Sequence, residues 1–160
     1  MISFMRIDDR LLHGQVVLRW VSTVHPDAII VANDAVMNNP IQKSALKMAK
    51  PSGYKLSISS VDDAIKLINN PRAENMKLMV IVANTKDAKK IVENTKETGV
   101  LNIGGMRNKT PETKDYSKLL SMSDEDVDNI KSIYSFVKEV DTRMTPENSK
   151  KDFLSLVSDK

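Results

Sequence analysis

Apolar positions along the chain alternate between two periodicities. Ile2–Ile7, Ala28–Ala32, Lys55–Ser59, Leu78–Val82 and Val100–Ile103 each read as a short strand. The runs at 29–31 and 78–82 are apolar without interruption, the pattern of parallel strands buried on both faces. Helical spacing fills the intervals. Val16, Val17, Trp20, Val21 and Val24 make a stripe over residues 15–24, and Ile41, Ala45, Met48 and Ala49 make another that Pro51 ends. Ser60 caps a helix with Val61, Ala64, Ile65 and Ile68 on one face. Ala88, Ile91 and Val92 mark a fourth, with Gly99 as its terminator. Ser123 and the acids after it open a fifth over Val127, Ile130, Tyr134 and Val137. Thr145-Pro146 opens a last helix carrying Phe153, Leu156 and Val157. Residues 107–117 read as a surface loop leading to a short strand near Lys118–Met122.

Strands alternating with helices over the whole length predict an α/β fold: a single doubly wound, mainly parallel β-sheet with helices on both faces. At 160 residues the expectation is one domain, 1–160. Composition narrows the chemistry. Cysteine is absent, which excludes thiol catalysis and disulfide scaffolds and fits a reducing, cytoplasmic setting. His13 and His25 lie too far apart in sequence for a paired metal motif, so no metal is expected. The net charge of +3, without a dense Lys/Arg block, argues against nucleic acid. No apolar stretch approaches a membrane span, and the N-terminus has no leader pattern.

In an open α/β sheet, ligands bind beyond the carboxyl ends of the strands. The first such loop, Asp8-Asp9-Arg10-Leu11-Leu12-His13-Gly14-Gln15, is the richest in chemistry. Imidazole is the side chain whose unperturbed pKa lies near neutrality, so His13 suits a nucleophile. The fork of Arg10 suits phosphoryl oxygens, and Gly14 at a helix start offers backbone N–H groups to an anion. By spacing alone, a structural histidine beside an Arg–Asp pair accounts for the loop somewhat better than a reactive one. Leu11 is expected to be exposed, as an apolar contact for a transient partner. Later strand ends carry Asn33-Asp34, Ser59-Ser60, Asn84-Thr85 and Asn102-Ile103-Gly104-Gly105-Met106. Ser60 and Thr85 fit helix caps as well as phosphate ligands, and Gly104-Gly105 fits a tight turn. His25 reads as an ordinary loop residue, and the scattered methionines as core filler.

Taken together, RIDDRLLHGQVVLRWV (6–21) resembles the opening signature of the IIB components of the mannose/fructose/sorbose family of the phosphoenolpyruvate-dependent sugar phosphotransferase system (PTS). IIVANDAV (29–36), AKPSGYKLSISSVDDAI (49–65), LNIGGMRN (101–108) and RMTPE (143–147) continue the likeness, which spans nearly the whole chain. The resemblance implies a mainly parallel sheet of about seven strands and a protein-Npi-phosphohistidine–sugar phosphotransferase. By it, His13 is phosphorylated on Nδ1 by the partner IIA and passes the group to a sugar delivered by the membrane components IIC and IID. It makes Arg10 the residue that steadies the phosphoryl group, with Gly14 and Gln15 beside it and Asp9, Asn84 and Thr85 in support. After the fourth strand the family often carries a basic residue and a Pro-containing turn, where this chain reads Ala83-Asn84-Thr85-Lys86. No cofactor is implied. The protein would be cytoplasmic, at the membrane only through IIC/IID, and a monomer or weak homodimer. Mannose, fructose, sorbose and amino sugars all stay open as the acceptor. Two other readings compete: a receiver-like regulatory domain phosphorylated on aspartate, suggested by Asp8-Asp9 and Thr85 but with Ser59-Ser60 and no acceptor Asp after the third strand, and a metabolite-binding module built on Gly104-Gly105.

Overall fold

The computed structural model describes residues 1–158. Its strands are β1 (Ile2–Asp8), β2 (Ala28–Ala32), β3 (Lys55–Ser59), β4 (Leu78–Val82), β5 (Thr98–Gly105), β6 (Lys114–Ser117), β7 (Leu120–Met122) and β8 (Val137–Asp141). Its helices are α1 (Gly14–Val24), α2 (Pro40–Met48), α3 (Val61–Asn69), α4 (Thr85–Glu93), α5 (Asp124–Ile133) and α6 (Phe153–Ser158). The central sheet has six strands in the order β3-β2-β4-β1-β5-β8, every pairing parallel, and β6-β7 form a separate antiparallel pair.

Two apolar layers flank the sheet. Val17, Trp20 and Val21 of α1 and Leu46 of α2 pack on one face with Phe4, Met79 and Ile81. The buried faces of α3, α4, α5 and α6 pack on the other, with Met5, Ile7, Val80 and Val82. Alternation along β4 sends successive residues to opposite layers, which is why the run is apolar throughout. Crossovers leftward from β1 use the α1/α2 layer, and those rightward from β4 use the other, as right-handed connections require. β1 and β4 are neighbours whose following helices leave to opposite faces. The crevice beyond their carboxyl ends is therefore the topological switch point.

The strand count differs from the expected seven in one sheet, because residues 114–122 fold as a two-stranded ribbon outside it. β6 also lies inside the stretch read as loop. β8 carries too little apolar sequence to be legible: it is an edge strand with Lys138 and Glu139 exposed. It also begins at Val137, so α5 ends at Ile133 and neither Tyr134 nor Val137 belongs to it. Gly99 does not terminate α4, which ends before Asn94. Gly99 sits inside β5, where a Cβ would lie 2.6 Å from the Ser3 carbonyl oxygen. Thr145-Pro146 opens no helix; Thr145–Asn148 closes a turn, and α6 starts at Phe153 with Asp152 accepting from the Ser155 N–H at 3.2 Å. The expected inner stripe of α2 faces solvent: Ile41 is 85% and Met48 87% exposed, and Leu46 alone of that helix is buried. Met37 is exposed as well, so the methionines are not uniformly core.

Candidate functional site

The loop after β1 is shaped by its two aspartates. Asp8 is 1% exposed, and its carbonyl accepts from the Leu11 N–H at 2.8 Å, turning the chain. Leu11 takes a φ of +59°, a left-handed conformation that costs a non-glycine residue energy. Its side chain is buried at the floor of the loop with Leu12, contrary to the exposed contact expected of it. That burial holds the strained turn in place. Gly14 has a φ of +47° with open space where a Cβ would stand, so conformation and not crowding demands glycine there.

Asp8 is the hub of the charges. Its Oδ2 takes the Arg6 Nη2 at 3.1 Å, and its Oδ1 takes the Arg10 backbone N–H at 3.0 Å and Arg107 Nη1 at 3.3 Å. Arg10 Nε lies 3.5 Å from the same Oδ1. Asp9 anchors the neighbouring loop by accepting from the backbone N–H groups of Arg107 and of Asn108, the latter at 3.0 Å, and from Arg107 Nη1 at 3.4 Å. Two aspartates thus fix three arginines. Burial pulls the Arg6 guanidinium below the ordinary arginine value; Asp8 opposes that pull, and Arg107 and Arg10 add to it.

Arg6 belongs to a polar row across the sheet. Strand register sets Arg6 of β1 opposite Asn102 of β5, and Asn102 opposite Asp141 of β8. Arg6 Nη1 donates to Asn102 Oδ1 at 2.5 Å, Asn102 Nδ2 to Asp141 Oδ2 at 2.8 Å, and Arg143 Nε to Asp141 Oδ1 at 2.9 Å. The Met144 carbonyl receives both Arg6 Nη1 at 3.2 Å and Trp20 Nε1 at 2.8 Å. Gly104 and Gly105 make this packing possible: a Cβ on the first would overlap the Arg6 guanidinium, and on the second that of Arg107. These two glycines accommodate protein side chains.

His13 stands at the N-cap of α1, exposed, with no side-chain capping hydrogen bond. Gly14 and Gln15 beside it are exposed too. The Arg10 side chain is 35% exposed overall, while its Nε, ion-paired to Asp8, and its Nη2 are buried without a hydrogen bond. Asp9, Arg10, His13, Gly14 and Gln15 thus all lie on the segment that joins β1 to the first turn of α1. Asn84 caps α4, accepting from the Asp87 N–H at 2.8 Å, and meets Asp9 across a cleft of about 700 Å³ at the switch point. Thr85 is spent elsewhere: its Oγ1 donates to Asp126 Oδ1 at 2.7 Å and accepts from Asn129 Nδ2 at 3.1 Å, tying α4 to α5. That cleft is acidic, with Glu112, Asp124, Glu125 and Asp126 on its walls, and neither His13 nor Arg10 lines it. His25, in the left-handed C-cap of α1, lies at the far end of that helix. Sequence reasoning missed Arg6, Asp8, Asn102, Arg107 and Asp141 as a connected group. The available signal was a charged or amide residue inside two largely apolar strand patterns, Arg6 in the first strand and Asn102 in the fifth; the third member, Asp141, comes from a strand without such a pattern.

The sequence profile described as "PTS system sorbose subfamily IIB component" matches residues 2–160. The chain belongs to that family of phosphotransferase-system components. Among its relatives is a probable phosphotransferase enzyme IIB component of Streptococcus pyogenes, 37% identical over 99% of this chain and 100% of the other. The sorbose-specific EIIB component of Lacticaseibacillus casei is 32% identical over 99% of this chain and 96% of its own. The crystal structure of the IIBSor domain of the sorbose permease from Klebsiella pneumoniae superposes with a TM-score of 0.91 at 27% identity, covering 100% of this chain and 98% of that one. Among the described residues no helix is long and apolar enough to cross a membrane.

Proposed function

We propose that residues 1–160 act as one IIB domain in which His13 carries the phosphoryl group, taking it from a phosphorylated IIA and delivering it to a sugar held by IIC and IID. The observation that carries this reading is the contrast among the loop's candidate acceptors. Asp8 is buried beneath three arginines and Asp9 is held by the 107–108 backbone, whereas the imidazole of His13 is exposed and has no capping bond. The same contrast disfavours a receiver-like aspartyl phosphate.

In the first step a lone pair on His13 Nδ1 attacks phosphorus in line. The N–P bond to the donor imidazole breaks as the new N–P bond forms, so charge spreads over the three equatorial oxygens. Arg10 is placed to offset that charge, its side chain partly exposed and its position fixed by Asp8. The free N–H groups of the first turn of α1, after Gly14, add to it. In the second step a sugar hydroxyl attacks, its proton leaves to base or solvent, and His13 is restored. The acidic cleft repels the transferring group, so transfer runs between protein surfaces, at the cytoplasmic side of IIC/IID. Which sugar is phosphorylated is a property of those membrane partners.

Incubation with phosphoenolpyruvate, the general phosphotransferase proteins and a cognate IIA tests the assignment. Acid-labile, base-stable label is expected on the wild type and none on His13→Gln. Label retained by that variant, or label cleaved by hydroxylamine, overturns it.

A further inference from the structure

From Ala35 to Val61 the chain contains no acidic residue and four lysines, Lys43, Lys47, Lys50 and Lys55. This segment carries a formal +4 in a chain of +3, so all the other residues together come to −1. The four lysines converge. They line one groove of about 660 Å³ between α2 and β3, over the half-buried side chains of Leu56 and Ile58. Among the described residues none of the four is ion-paired, and Lys50 Nζ donates to the backbone carbonyl of Tyr54 at 2.8 Å, which fixes one wall without neutralising it. β3 is a terminal strand paired only with β2, so its outer backbone groups have no ladder partner.

We propose that this groove docks an extended acidic segment of a partner protein. The segment adds as a strand along the free edge of β3 while its carboxylates meet the lysines of α2 and Lys55. A lysine on an edge strand by itself deters aggregation, and Lys55 alone would serve that purpose. Three further ammonium groups from the adjoining helix and turn give the edge a charged wall that such protection does not require. A concave site between helix and strand fits an extended chain better than a flat anionic bilayer. β3 stands three strands from β1, roughly 14 Å at the usual strand spacing. No residue of the His13 loop lines the groove. The proposal does not depend on the role of His13.

The full chain is titrated with a fluorescent peptide of alternating glutamate and valine, with its lysine–valine counterpart, and with phosphatidylglycerol vesicles. Saturable binding of the acidic peptide is expected, weakened about tenfold or more between roughly 50 and 500 mM salt as the Debye length contracts. Amide shifts should centre on Lys55–Ser59. Lys43→Gln/Lys47→Gln, two exterior changes on α2, should lose about tenfold in affinity while the label accepted by the chain from phosphorylated IIA is unaltered. Absence of saturable binding, binding indifferent to the double variant, shifts away from β3, or preference for the vesicles overturns the proposal.

Discussion

Asp8 ranks above any other single side chain in what depends on it. Its carboxylate is the counter-charge for a fully buried guanidinium and the positioning group for Arg10 and Arg107. Asp8→Asn keeps shape and removes charge, leaving Arg6 uncompensated in the sheet; a loss of about 3–5 kcal/mol is expected in urea unfolding. Arg10 would lose its anchor as well, so label transfer to His13 should fall further than the loss of folded protein explains. Asp87 is a quieter case. Burial raises its pKa, Asp34 raises it further, and Asn84 with Lys86 and Lys90 only partly offset this. A carboxyl whose folded pKa is raised binds its proton more tightly when folded. It therefore costs stability above that raised value and costs none below the ordinary carboxylate range. Asp87→Asn should raise the melting temperature at neutral pH, with the gain vanishing as the pH falls through the carboxylate range. Thermal melts across that range read it directly.

At the level of elements, the existence of the chain's first five strands and first four helices was legible because each has a clean periodicity, although the end of the fourth helix was not. Ser60 and Ser123 announce their helices by capping, and Ser123 completes a reciprocal capping box with Asp126. What escaped was legible only in three dimensions. β8 is a half-exposed edge strand whose charged residues mask its period. Gly99, Gly104 and Gly105 look like punctuation in a sequence, yet all three lie inside β5 and serve close approach. Gly104→Ala tests this role. The added methyl collides with the Arg6 guanidinium, and overpacking there should cost about 1–3 kcal/mol or more, read as a lower denaturation midpoint. Alanine at Gly53, where nothing lies near a Cβ, meets only the strain of its positive φ. α2 was misread because its apolar stripe is real and faces outward. A periodic stripe shows which residues share a face, and only packing shows which way that face turns.

For the whole molecule, the fold class followed from the alternation of elements, whereas the strand order did not, and the candidate site rested on one loop at the end of the first strand. The polar row Arg6–Asn102–Asp141 could not be read locally, since its members come from three strands aligned by register alone. The far end of the chain completes the second layer. Phe153 is wholly buried, with its ring 6.4 Å from that of Tyr134, and it anchors a six-residue helix too short to stand alone. Phe153→Ala should cost about 3–5 kcal/mol in equilibrium unfolding.

β1 precedes the other strands of the sheet in sequence but sits between β4 and β5, and the Arg6 that projects from it finishes its contacts on the Met144 carbonyl. During synthesis β1 thus has no neighbour until residues 78–105 are made, and the His13 loop has its full set of supports only after Met144 has emerged. Synthesis order and assembly order run opposite ways. A chain stalled before residue 78 holds the whole 8–15 loop in its sequence and neither of the strands that flank β1.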